Sequence, residues 1–369
     1  MTGVSERSQR ICGLKYDGYS DAEMIKTQTF FDGHNDLLLR LWVNHADNPA
    51  QAFFAGLERG HLDYPRMRQG GFAGGLFAVF VPPAVWLAGE RKQDLASVQA
   101  QHDALAIAEA QIAILQQLAD ASQGRARLCR TAAEIEQCLQ QDVLALVMHI
   151  EGAEMLDPEL ALLDTFYQLG LRSIGPFWNL PNRFGVGVNG GFPGSPDTGG
   201  GMTEEGKALI RACNRKRLLI DLSHMNEKAF WQTAEISDAP LVATHSNAHA
   251  LCAQPRNLTD AQLAAIAHSD GFVGVNFGNA FLRADGQRNA DTSLHEIVKH
   301  LCWLIDKVGE DRVGFGSDFD GISVPESLGD VTGMPKLFKA LTDAGFDEER
   351  LEKLAWRNWL RVLKRTWGQ

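Results

Sequence analysis

The chain has no CxxC pair. Its six cysteines, Cys12, Cys129, Cys138, Cys213, Cys252 and Cys302, are scattered, which signals neither a thiolate zinc site nor a redox motif and points to reduced thiols rather than a disulfide framework. Uninterrupted apolar runs of about 18 residues are missing too, and the N-terminal stretch MTGVSERSQRICGLKYDGYSD lacks the apolar core of a signal peptide. The expectation is a soluble, cytoplasmic protein with no membrane partner. Positive charge is scarce: 35 Lys and Arg face 46 Asp and Glu, for a net charge of -11, and no basic cluster is interleaved with aromatics. Nucleic acid is therefore excluded as a partner, because phosphate binding needs concentrated positive charge. The Gly- and Pro-rich stretch NRFGVGVNGGFPGSPDTGGG (182–201) has the spacing of no phosphate loop, and Lys207 follows too late for a Walker motif. With no internal repeat and no interdomain linker, the expected organisation is a single domain over 1–369, with residues 1–28 an N-terminal extension.

What the sequence does have is apolar composition, 45% hydrophobic against 22% charged, in a length that supports one large core. Short apolar runs recur: TQTFFDGH (27–34), FAGGLFAVFV (72–81), VLALVMHI (143–150), LRSIGPFW (171–178), RLLIDLSH (217–224), PLVATHS (240–246), GFVGVNF (271–277) and RVGFGSDF (312–319). Their continuous rather than alternating hydrophobicity predicts strands buried on both faces, as in a parallel sheet covered by helices. Helical segments lie between them. Thr131 with Glu134 and Thr259 with Gln262 match the capping box, 94–120 is long and rich in Ala and Leu, and DEERLEKLAWRNWLRVLKR (347–365) is amphipathic. Eight such runs predict an α/β protein of the (β/α)8 TIM-barrel type, with 182–201 a βα loop over the barrel mouth.

In FFDGHNDLLLR (30–40), His34 and Asp36 stand two residues apart and leave the same face of a strand, a possible metal clip. Other predicted strands end in similar residues: His149 and Glu151 on the third, His224 on the fifth, His245 on the sixth, Asp318 on the eighth. A lone His at a strand end is more often a hydrogen-bonded rim residue than a ligand. Here five strand ends converge on one mouth, and imidazoles with carboxylates are the ligand set for zinc or a similar divalent ion.

The ordered set FDGHND, HIEGAE, DLSH, THSNA with PRNLTD, and GFGSDFDG, together with YPRMRQGGFAGG around the second strand, resembles the membrane dipeptidase (renal dipeptidase) family of zinc peptidases in the amidohydrolase superfamily. The resemblance runs over nearly the whole chain from about residue 28. It implies a (β/α)8 barrel with a binuclear site of two Zn2+ that hydrolyses dipeptides by a metal-bridging hydroxide. By position, His34 and Asp36 would hold one zinc and His224 and His245 the other, with Glu151 bridging; His149 is a competing ligand. Asp318 matches the proton-transferring carboxylate and, with Glu151, makes up the catalytic pair. Arg256 matches the residue that binds the substrate's terminal carboxylate, a task suited to the guanidinium fork.

Two positions depart from the family pattern. Trp178 stands where many relatives carry a His that contacts the substrate carbonyl, and an indole donates one hydrogen bond but carries no proton. Asn179 or Asn182 is the expected substitute, so Trp178 and Asn179 join the substrate-binding set. Gly278 stands where relatives often have Tyr, predicting a more open wall. These departures keep open another hydrolase on the same metals, acting on a β-lactam, an N-acyl amino acid or a lactone, and, from a different class, a non-catalytic metal-stabilised binding protein. Trp356, Trp359 and Trp367 would either cover a homodimer interface or close the barrel bottom.

Overall fold

A computed structural model describes residues 28–369. The N-terminal extension, but for its last residue, and Cys12 lie outside the described residues. The strands are β1 (Phe30–Asn35), β2 (Phe72–Phe80), β3 (Ala126–Leu128), β4 (Leu144–Glu151), β5 (Leu171–Gly175), β6 (Leu219–Ile220), β7 (Val242–Ala243), β8 (Phe272–Val275) and β9 (Val313–Phe315). All pairings between them are parallel, in the order β6-β5-β4-β2-β1-β9-β8-β7. The circuit closes where Asp221, just past β6, pairs in parallel with Val242 of β7. Eight strands form the barrel, one for each apolar run in the sequence. β3 is an addition the sequence did not signal; it pairs with Leu144–Leu146 of β4, ahead of the point where β5 begins at Met148.

Burial explains the continuous hydrophobicity. Every residue of β2 and β4 is buried, because one face fills the barrel and the other lies under helices. Both capping boxes form as expected, at Thr131 with Glu134 and at Thr259 with Gln262. The segment 94–120 is two helices rather than one, Leu95–Ala100 and Ala104–Asp120. Asp94 and Asp103 each cap a start, and Asp103 accepts from two amides that a continuous helix would have bonded internally. Cys302 is disulfide-bonded, against the expectation of reduced thiols throughout, while Cys129, Cys138, Cys213 and Cys252 are free.

The C-terminal segment plugs the bottom of the barrel. A π-helical turn at Lys353–Arg357 precedes the helix Asn358–Trp367. Trp359, fully buried, packs 4.1 Å from the Phe272 ring and 5.9 Å from Phe31, and its indole donates to the Phe315 carbonyl at 2.9 Å. Gly33 makes room for it: a Cβ there would stand 2.3 Å from the indole. Trp359→Ala is expected to cost about 3–5 kcal/mol of stability, read as a lowered denaturation midpoint. Among the described residues no helix is long and apolar enough to cross a membrane.

Candidate metal centre and substrate cavity

The opposite end of the barrel gathers the polar residues. His34 is the penultimate residue of β1, and Asp36 immediately precedes the helix Leu37–His45. Glu151 ends β4, and His224 and His245 follow β6 and β7. Asp318 follows β9 in a backbone of φ 60°, the left-handed region that Asp tolerates better than most residues. Gly321 lies so close that a Cβ would come within 2.1 Å of Asp36 Oδ2 and 2.6 Å of Asp318 Oδ1. The turn chemistry of GSDFDG thus serves to fold the chain tightly around two carboxylates.

The five expected ligands converge on Glu151. Its Oε1 lies 2.8 Å from His224 Nε2, 3.5 Å from His245 Nε2 and 3.6 Å from His34 Nε2, and His34 Nε2 is 3.5 Å from Asp36 Oδ2. Ligand atoms of His34, Asp36 and Glu151 fall within 4.8 Å of one another, as do those of Glu151, His224 and His245. Two further sets meet the same measure, His34 with His149 and Asp221, and His34 with His245 and Asp318.

Hydrogen bonds decide which nitrogens are bare. Thr244 Oγ1 donates to Asp221 Oδ2 at 2.6 Å, so its contact with His245 Nδ1 at 2.8 Å requires the imidazole to donate. His224 Nδ1 donates to Asn179 Oδ1 at 2.8 Å. Both rings thus present an unprotonated Nε2 when neutral, and the two nitrogens face each other at 3.1 Å across a carboxylate oxygen. Burial, together with Arg256 and His34, pushes both imidazoles well below their ordinary value and keeps them neutral. Lone pairs pointed at one another repel, and neither ring nitrogen of His34 has a hydrogen-bond partner. Divalent cations would take the Nε2 lone pairs of the three imidazoles beside the Glu151 and Asp36 carboxylates, so the donor set fits a metal.

The acids respond to the same burial. Desolvation raises Asp318 and raises Glu151 well above the carboxylate norm, with His34 pulling each the other way. His34 itself would be depressed by burial, but Glu151, Asp36 and Asp318 outweigh that and raise it to about 10. His149 is a different case. Its Nδ1 contacts Ser173 Oγ at 2.8 Å, burial lowers it to about 3, and the Asp221 oxygens near it are already taken by Ser223 and Thr244.

Above the cluster opens a cavity of about 460 Å3, lined by Asp36, Glu151, Trp178, Asn179, His224, Arg256 and Asp318 among others; His34 and His245 are buried outside that lining. Arg256 donates to the Ser223 carbonyl, to the His245 carbonyl at 3.3 Å and to His224 Nε2 at 3.3 Å, leaving Nε without a partner. Trp178 packs 5.2 Å from Phe80 and 6.3 Å from the His224 ring. Asn179 spends its carbonyl orienting His224. Asn182 is tied to Pro176 and Phe184 and lies outside the cavity lining. The wall at Gly278 is not open: a Cβ there would meet Ile322 at 2.6 Å and Phe281 at 3.1 Å, two side chains that occupy the space.

Sequence reading passed over the residues that hold these side chains in place. Asp221 lies inside the quoted DLSH, and accepts from the amides and hydroxyls of both Ser223 and Thr244. Asn276 donates to Asp318 Oδ2 at 2.8 Å. The signal for Asp221 was an acid at a strand end three residues before a His, whereas Asn276 has no signature of its own.

A parallel eight-stranded barrel with imidazoles and carboxylates massed at the C-terminal ends of its strands defines the class of metal-dependent hydrolases. Residues 20–367 match the model of the Membrane dipeptidase family (Peptidase family M19), and the chain belongs to that family: it is a metallo-dipeptidase acting on peptide bonds. A Klebsiella pneumoniae protein described only by its place in the pqqA 5′ region is 62% identical over 259 residues, 70% of this chain and 96% of that relative. A Schizosaccharomyces pombe protein described as an uncharacterized dipeptidase is 30% identical over 339 residues, 91% of this chain and 80% of the relative. Among solved structures, a Rhodobacter sphaeroides metallopeptidase liganded with a phosphinate mimic of the dipeptide L-Ala-D-Ala superposes with a TM-score of 0.86 at 46% identity, covering 93% of this chain and all of that one.

Proposed function

We propose that the chain is a zinc dipeptidase whose two ions are held by His34 and Asp36 on one side and by His224 and His245 on the other, with Glu151 shared. The observation that carries this is the convergence of the His34, His224 and His245 Nε2 atoms on Glu151 Oε1, with Asp36 Oδ2 3.5 Å from His34 Nε2, which is more donor atoms than one tetrahedral ion takes. Bound there, two zinc ions supply Lewis acidity toward the scissile carbonyl and acidify water at neutral pH. Arg256, in the cavity lining, takes the terminal carboxylate of the substrate and so measures length, because a longer peptide presents an uncharged amide there. Asp318, steadied by Asn276, accepts the proton of the attacking water and returns it to the departing amine. Trp178 packs against the Phe80 side of the cavity and shapes the pocket. The test is a panel of dipeptides, the matching tripeptides and C-terminal amides, run on zinc-loaded protein. Dipeptides alone should be cleaved; equal cleavage of the amides would remove Arg256 from the carboxylate role.

A further inference from the structure

One guanidinium on the cavity wall has no task in the chemistry above. Arg40 lies one helical turn beyond Asp36 on the helix Leu37–His45, so the element that starts at a metal-side carboxylate carries Arg40 to the cavity lining. Its Nε is buried and has no hydrogen-bond partner, and among the described residues no carboxylate oxygen lies within 4.0 Å of the guanidinium. Other arginines near the surface are matched: Arg66 with Asp63 and Asp330, Arg312 with Asp270. The acid beside Arg40, Asp320, is turned to His61. Its Oδ1 accepts from the His61 amide at 2.6 Å, and its own amide donates to His61 Nδ1 at 2.9 Å. Asp320 Oδ2 is a second orphan on the same wall. Arg288, exposed at the rim, is a third cation of the lining and likewise has no ion pair among the described residues.

The charges do not balance for a neutral substrate. Five carboxylates line the cavity, Asp36, Glu90, Glu151, Asp318 and Asp320, against three guanidinium groups. Two divalent ions would reverse that balance and leave the lining net positive. A dipeptide with neutral side chains is a zwitterion whose single carboxylate is answered by Arg256, which leaves Arg40 and Arg288 unmatched. A side-chain carboxylate supplies the missing anion for the half-buried Arg40.

We infer that Arg40 is a specificity-determining residue that selects dipeptides carrying an acidic side chain; the inference rests on the dipeptidase reading above. Arg40 donates to that second carboxylate from the part of its guanidinium that faces the cavity, while Arg256 holds the terminal one. A charge-assisted hydrogen bond of this kind favours the acid over its isosteric amide by on the order of 10- to 100-fold.

The experiment compares Glu with Gln in zinc-loaded full-length enzyme, using the pairs Ala-Glu and Ala-Gln, and Glu-Ala and Gln-Ala, with both stereoisomers at the second residue. In at least one pair the Glu member should have a kcat/KM higher by about 10- to 100-fold, mostly through KM. In Arg40→Met the Glu/Gln ratio should fall to about 1, and Arg40→Lys should keep part of it. Equal efficiency for Glu and Gln in the native enzyme overturns the inference without needing any variant. So does a preference for Gln, which would mean that Arg40 and Asp320 Oδ2 together read a primary amide. A ratio unchanged in Arg40→Met assigns the selection elsewhere and also overturns it. Calorimetric titration of zinc-loaded Asp318→Asn with the same peptides separates the two readings. Tighter binding of the Glu member, with no dipeptide hydrolysed by the native enzyme, sinks the dipeptidase mechanism and supports Arg40; hydrolysis with no binding difference sinks Arg40 alone.

Discussion

Asp318→Asn is expected to lower kcat by roughly 100- to 10,000-fold, the range for losing a positioned proton-transfer group. The substitution is close to neutral structurally. Asn276 donates to Asp318 Oδ2, and the carbonyl of an amide at 318 accepts the same hydrogen bond. The Asp318 backbone amide, which donates to the His34 carbonyl at 3.0 Å, is untouched. What the amide cannot do is take a proton. The loss should therefore fall on kcat with little change in KM, and zinc content by elemental analysis should equal that of the native protein. Near-normal kcat would remove Asp318 from the mechanism, and loss of zinc would make it a ligand rather than a proton carrier.

Glu151→Ala is expected to take the metal with it. Glu151 Oε1 is within 3.6 Å of the Nε2 atoms of His34, His224 and His245, so one oxygen serves all three imidazoles. Without it, two cations in neighbouring sites lose the anion that screens their repulsion. Zinc should fall from about two equivalents per chain to one or fewer, and hydrolysis should drop with it. The fold should survive, because Glu151 ends its strand while the β4 ladder to β2 runs back through Met148 to Ala145. One tight zinc in the native protein, unchanged by Glu151→Ala, would sink the bridge.

The barrel was legible because both faces of each strand are buried, and that leaves long apolar runs no amphipathic helix would show. Ladder lengths were not. β6 and β7 are two residues each, although RLLIDLSH and PLVATHS are apolar over more. Past them the backbone pairing thins to the single bridge at Asp221, and the side chains of Asp221, Ser223 and Thr244 link the two strand ends by bonding to one another and to the His245 amide. The break between the helices on either side of residues 101–103 was visible only as an Asp inside a helical run, since Asp103 reads equally well as a solvent-facing residue until its side chain is seen on the amides of Leu105 and Ala106.

The chemistry-bearing residues were legible for a related reason: an Asp, Glu or His at the end of an apolar strand must be paid for by a partner. Their supports were not. Asn179 reads as a pocket residue and does line the cavity, but its hold on His224 has no sequence signal, and Asn276 is one Asn among many until it is found on Asp318. Gly278 suggested open space, because sequence does not show that Ile322 and Phe281 fill it. Arg40 ends an apolar stretch and passes for an ordinary first-turn helix cation until its Nε is seen buried and unmatched.

Anomalous diffraction at the zinc edge, from crystals of zinc-loaded protein, tests the centre most directly. The account predicts two peaks about 3.5–4 Å apart, one beside His34 and Asp36 and the other beside His224 and His245, both in contact with Glu151. A single peak, or two peaks of which either leaves Glu151 out of its ligands, would contradict it.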